Sequence, residues 1–452
     1  MEERDNIKEI LSDLLANKEY LKIRELLSDM NEADVADVMG DMEDKMILRI
    51  FRILPKTMAA EVFADLELEA QQYIIQSLSD NEASAIIDNM MSDDAADLLE
   101  EMPANVVTRI LANARPDTRK DINHLLRYPE DSAGSMMTVE YVDLQQHMTV
   151  EDALKKIKRI GLDSETVNIC YVVDQQKVLV GTVALRYLII HESDEVIGDF
   201  MNENVISINT MTDQEEAARM FQKYDFTAMP VTDAENRLVG IITIDDVVDI
   251  LTEEATEDME KMAAILPSDK TYLRSGVFDT YKKRMPWLLF LMVSATFTGM
   301  IITQYEQALS AYVILTAYIP MLMDTGGNAG SQVSVSIIRS LSLREVEFSD
   351  LFKALWKEVR VAFICGLTLA AANFVKLMLL DRVGATVALI VCSTLVLVIL
   401  VAKLIGCLLP MVTYRIGFDP AVMASPLITT IVDAISLTVY FTIASNVLHL
   451  GG

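Results

Sequence analysis

Residues 418–441 read FDPAVMASPLITTIVDAISLTVYF, a strongly apolar stretch that, beyond Asp419 at its start, holds one carboxylate, Asp433, near the middle of its second part. Placing an ionised carboxylate in hydrocarbon costs at least ~2.5–3.5 kcal/mol, so Asp433 is expected to face protein or water, with something positive nearby. Pro420 and Pro426 lack the N–H that an unbroken helix would use, and Thr429, Thr430 and Ser436 put oxygens around the acid.

Outward from this stretch, nearly all the long apolar runs follow Pro286. The runs predict five spans, at roughly 286–305, 311–341, 357–380, 385–412 and 422–448. Tyr281-Lys282-Lys283-Arg284 precedes the first, which by the positive-inside rule puts the N-terminus in the cytoplasm and, with five spans, the C-terminus outside. The second span is interrupted by Asp324-Thr325-Gly326-Gly327-Asn328-Ala329-Gly330-Ser331-Gln332, where Pro320 and the glycines are expected to open non-helical backbone around a buried or wet path. A phosphate-binding loop is the rival reading, but the preceding soluble strand and the Gly-Lys-Ser/Thr ending are missing. Lys376 and Lys403 lie in later spans and are expected to snorkel from helix ends.

The whole net charge of −29 belongs to the first part: residues 1–286 carry 29 Lys+Arg against 58 Asp+Glu, and residues 287–452 carry 9 of each. Such a balance argues against a nucleic-acid surface and for an acidic one that attracts cations or repels itself. The charged amphipathic start, MEERDNIKEILSDLL, has no signal-peptide core and points to a cytoplasmic soluble part. Four cysteines and four histidines are scattered, which leaves no soft-metal cluster and makes a hard, oxygen-liking ion the metal to expect. No grouping of Ser, His or Cys supports a nucleophile with its base, so no enzyme is predicted.

Residues 31–129 repeat loosely about every 24 residues, with Pro55, Pro103 and Pro129 in nearly constant phase, which predicts stacked short helices. Asp93, Asp94, Asp97 and Glu100 gather at one predicted helix start. From Ser135 short strands alternate with helices, twice over. Met136-Met137-Thr138 recurs as Phe200-Met201-Asn202, the strand Tyr171–Asp174 as Met229–Asp233, and Gly181-Thr182-Val183 as Gly240-Ile241-Ile242. Four such matches, with the Thr149 and Thr212 helix starts, resemble a tandem pair of cystathionine-β-synthase-type (CBS) domains. The resemblance implies an adenosine-nucleotide site in the second copy, with Thr243 and Asp246 holding phosphate and ribose; the first copy has Ala184 and Tyr187 there. A helix rich in acids follows, with Asp246, Asp249, Glu253, Glu257 and Glu260 on one stripe.

Taken together, the domains resemble the MgtE family of magnesium channels over nearly the whole chain. They are an acidic all-α superhelical N-domain (1–130), an α/β CBS pair (131–252, divided near 198), a linker helix (253–285) and an all-α polytopic membrane domain (286–452). The motif residues are Pro320 and Thr325–Gln332 in the second span, and Phe418–Ala421, Pro426, Thr429-Thr430, Asp433 and Tyr440-Phe441 in the last. Ser425 and Ser436 depart from the family's usual Asn and Gly. The resemblance implies a multi-pass protein of the cell membrane that acts as a homodimer, with its pore on the dimer axis and Asp433 as the Mg2+ site. Gly326, Gly327, Asn328, Ser425 and Thr429 are then expected along the pore, where a hydrated ion meets hydroxyls and carbonyls. Closing is expected when Mg2+ binds Asp93, Asp94, Asp97, Asp246 and Asp249, and Glu254, Glu257 and Asp258 of the linker. Two other classes compete. An ion-coupled carrier of divalent cations would also use a midplane acid, and a membrane-anchored CBS nucleotide sensor would not need Asp433.

Overall fold

The computed structural model describes residues 2–268, 272, 275–306, 310, 312–423 and 425–449. The chain divides into two compact units, Met1–Thr252 and Glu253–Gly452.

In the first unit, short helices run from α1 (Glu2–Ala16) to α10 (Pro116–Leu125), most of them eight to ten residues long. Their starts follow the local chemistry. Asn31 caps the helix Glu32–Gly40 by accepting from the Ala33 amide, Ser79 and Glu82 form a reciprocal capping box, and Pro55 and Pro103 stand at N-caps where no N–H is needed. Leu11, Ile23, Leu27, Met39, Ile50, Phe63, Ile74 and Ile110 fill one continuous core, so the methionines act as packing.

Two three-stranded sheets follow. The first is β1 (Tyr141–Gln145), β2 (Thr166–Val173) and β3 (Leu179–Ala184); the second is β4 (Ile208–Asn209), β5 (Ala228–Thr232) and β6 (Leu238–Thr243). In each, the first pair is parallel across a helix, α11 (Val150–Ile160) or α13 (Gln214–Tyr224), and the second pair is antiparallel. Short α12 (Leu185–Ile190) and long α14 (Ile244–Met262) end the two copies. The copies interlock through their leading segments. Thr138, ahead of the first sheet, bridges to Ile241 of the second, while Asn202 bridges back to Thr182 of the first. Gly240 and Gly181 leave room for Met137 and Met201 respectively; a Cβ at either would stand 2.6 Å from the methionine sulfur.

The second unit is helical. Among the described residues, four helices are long and apolar enough to cross a membrane: α15 (Val277–Gln304), α17 (Leu351–Leu379, counted with the turn from Phe348), α18 (Ala385–Arg415) and α19 (Ser425–Leu448, apolar from Pro426). The remaining expected span is α16 (Ile319–Ser342), too polar to meet the same criterion and packed against α18 and α19 instead.

The interruption expected within that span is absent. Pro320 sits in the first turn of α16, where its missing N–H costs nothing, and the helix then continues through Asp324–Gln332. Close packing is what the glycines provide. A Cβ at Gly327 would collide with Thr429, one at Gly330 would stand 2.9 Å from Ile428, one at Gly326 would stand 2.7 Å from Val398, and one at Gly406 would strike the Gly330 carbonyl. Pro420 begins a 3-10 turn (Pro420–Met423), and Pro426 is the second residue of α19.

Candidate functional site

Within the membrane unit, Asp433 lies in the second turn beyond the Gly327–Thr429 contact and is half-buried. Its Oδ1 is buried without a hydrogen-bond partner. Among the described residues no positive side chain of the kind expected from the sequence acts on Asp433; the charge that does is another carboxylate, Asp324. Thr430 and Thr429 donate to the Pro426 carbonyl at 3.0 and 3.3 Å, the back-bonding usual for helical hydroxyls, while the Ser436 hydroxyl is buried and unpartnered.

Gly326 and Gly327, read from the sequence as pore-lining, lie on the buried face of α16. The opposite face exposes Asp324, Asn328 and Gln332, four residues apart and so in one line. The Ser425 side chain lies outside the described residues. Lys403 does not snorkel: it is only 6 % exposed and meets Glu358 at 3.7 Å between α18 and α17. Lys376, half-exposed and 3.6 Å from Asp381, is where a snorkelling lysine should be. In the linker, Glu257 receives Lys261 at 2.6 Å, and the same ammonium reaches Asp419 at 2.8 Å. Burial opposes the charge on Lys261, and the hydrogen bonds it donates to Asp419 and Glu257 outweigh it.

In the first unit, helix α8 (Ser92–Glu100) meets the CBS pair through Glu140. That carboxylate accepts from the Ser92 hydroxyl at 2.7 Å and the Thr138 hydroxyl at 2.6 Å, and Ala96 joins the core of the second copy. The helix start thus brings Asp93 and Asp94 up to Asp246 and Glu165. Burial, then the charges of Asp94 and Asp246, hold Asp93 well above the ordinary carboxylate range, and its Oδ1 has no partner. Asp94 is pushed up to about 6 by burial and by Asp65, Asp245 and Glu140. Asp246 reaches about 6 through burial and Asp245, although the Thr243 hydroxyl donates to it at 3.0 Å. Glu165 reaches about 7 through burial, Asp245 and Asp246. Each of these groups is costly to keep charged in this arrangement.

Asp97 and Asp249 are exposed at the rim, where Asp249 acts electrostatically on Asp65. Glu254 and Asp258 belong to the other unit and are half-buried there. Sequence reasoning missed Asp65, Glu140, Glu165 and Asp245 as members of this group. Asp245 adjoins Asp246, but Asp65, Glu140 and Glu165 lie far from the other members along the chain, and no local pattern marks them. Among the described residues no three His, Cys, Asp or Glu side chains converge as direct metal ligands do. A cation here would be held through its waters, as Mg2+ prefers, and the orphaned Asp93 oxygen and the excess of carboxylates fit such an ion.

A glycine-packed helix beside an unpaired intramembrane acid, joined in one chain to an acidic helical domain and a CBS pair, defines a multi-pass membrane protein built to pass cations. Residues 319–443 match the family described as divalent cation transporter, MgtE; residues 30–131 match the MgtE intracellular N domain, and residues 197–253 match the CBS domain. The chain is 36% identical to the magnesium transporter MgtE of Thermus thermophilus, over 97% of this chain and 98% of that one, and 33% identical to that of Bacillus subtilis, over 96% of each. Among solved structures, the soluble part of a magnesium transporter is 30% identical with a TM-score of 0.53, over 56% of this chain and 99% of that one. The cytosolic domain of the Mg2+ channel MgtE in complex with ATP is 37% identical with a TM-score of 0.51, over 53% and 98%. The chain belongs to the MgtE family.

Proposed function

We propose that this chain is a magnesium channel of the cell membrane, mediating Mg2+ uptake as a homodimer with its N-terminus in the cytoplasm and its C-terminus outside. One observation carries this reading. Asp433 sits in a helix long and apolar enough to cross a membrane, with a buried, unpartnered carboxylate oxygen and, among the described residues, no cation to match it. A carboxylate so placed stays charged only if something cationic visits it. The exposed line of Asp324, Asn328 and Gln332 cannot face acyl chains cheaply, and a second copy across a wet axis would cover it. Two copies would then present two Asp433 carboxylates to a hydrated dication, with Asn328 and Thr429 bonding its waters. Gly326 and Gly327 would set the width by packing, and Ser425 would stand at the cytoplasmic end.

Regulation follows from the acidic groups. Asp93, Asp94 and Asp246 would hold Mg2+ through its waters, with Asp97 and Asp249 at the rim and Glu254, Glu257 and Asp258 in the linker, and the ion would favour a compact closed state because it binds that state better. Thr243 and Asp246 are the residues that would hold an adenosine nucleotide, as the ATP complex of the related cytosolic domain supports.

The test is flux and current from full-length protein in liposomes. Asp433→Ala is expected to abolish Mg2+ entry, and the wild-type reversal potential to follow the Mg2+ gradient alone. Retained flux in the variant, or a reversal potential set by a proton or sodium gradient, would overturn the reading.

A further inference from the structure

We propose that Asp324 is a second carboxylate of the ion path, one that determines selectivity for dications by acting on the ion through its water shell. The assignment rests on the channel reading above and adds a residue to it. Asp324 is one turn into α16 and points away from the face on which Gly326, Gly327 and Gly330 are buried. It is exposed, and neither an ion pair nor a hydrogen bond holds it among the described residues. A lone carboxylate at such a place in a helix bundle is costly against lipid, which leaves water or a neighbouring copy as its surroundings. Its line continues through Asn328 and Gln332, both exposed, so the polar surface is a track along the helix.

The second observation comes from the other helix. Asp324 is the charge that acts on Asp433 of α19, across the seam where Gly326 packs on Val432 and Ser436. Two carboxylates on different helices with no lysine or arginine between them repel each other. A divalent cation relieves that repulsion better than a monovalent one, because its attraction to each acid is twice as large at the same distance. Mg2+ surrenders water reluctantly, and a carboxylate that need not touch the metal suits it. In this arrangement Asp433 anchors the ion while Asp324 tips the preference toward charge two.

The experiment uses full-length protein in liposomes, with Mg2+ and K+ varied on each side. Asp324→Asn is expected to lower the permeability ratio of Mg2+ over K+ about twofold, the effect of one unit charge on a dication beyond its effect on a monovalent ion, through water at a separation of roughly 8 Å. Asp324→Glu should keep the wild-type ratio, and closing by cytosolic Mg2+ should be unchanged in both. An Asn variant that conducts with the wild-type ratio overturns the assignment and leaves the channel reading standing. A wild type whose reversal potential ignores the Mg2+ gradient overturns both. Should the Asn variant fail to reach the membrane intact, Asp324→Cys labelled with a membrane-impermeant cationic thiol reagent decides. Labelling above the wild-type background supports a water-facing position, and none overturns it.

Discussion

At the scale of single residues, what a side chain lacks matters most here. Gly327 has no Cβ, and the Thr429 methyl occupies the space one would need. Gly327→Ala should therefore wedge α16 from α19 at the level of Asp433, at a cost of about 1–3 kcal/mol, typical of overpacking. The expected outcome is lost Mg2+ flux and a lower thermal midpoint in detergent, both recovered in part by adding Thr429→Ala; a double variant no better than the single would show that the contact is not the cause. Asp433 was legible from the sequence because one acid in an apolar run is conspicuous. Asp324 was not, since a polar, glycine-rich neighbourhood hides a carboxylate, and only the burial of the adjacent glycines reveals which way it faces.

At the scale of elements, α18 is held to α17 by a charged pair where the sequence suggests only snorkelling. Lys403 and Glu358 are 8% and 15% exposed at their side chains and meet at 3.7 Å. Breaking such a pair from one side strands the other charge, which typically costs about 3–5 kcal/mol, whereas an apolar replacement of both is often neutral. Lys403→Met alone should thus lower the folded fraction recovered in detergent, and Lys403→Met with Glu358→Met should restore it. Equal recovery for all three proteins would mean that the pair contributes nothing. Helix starts were readable in advance where a proline marks them, as at Pro55 and Pro103. The continuity of α16 was not, because glycine permits both an opened backbone and a tightly packed helix, and its neighbours decide which.

At the scale of the whole molecule, the division of charge is the governing fact: an acidic soluble part with all of the −29 excess, and a membrane part with balanced charges. Asp93, Asp94, Glu165 and Asp246 are raised by burial and mutual repulsion, so the docked arrangement of the N-domain on the CBS pair carries an electrostatic cost that a dication would relieve. Asp246→Asn with Asp249→Asn should leave conduction intact while weakening its inhibition by cytosolic Mg2+, about tenfold in half-inhibiting concentration if the two charges contribute near 1.4 kcal/mol together. Inside-out patches with unaltered inhibition would count against it. The sequence by itself determined the domain order, the duplicated α/β module, the apolar helices and the intramembrane acid, because periodicity, repetition and hydropathy are properties of consecutive residues. Only the tertiary structure decided that Glu140 and Glu165 join Asp93, that the two CBS copies exchange their leading segments, that Lys403 is paired, and that, among the described residues, the charge acting on Asp433 is that of Asp324. Those are relations between residues distant along the chain, and burial and Coulomb interaction depend on where the packed backbone brings them.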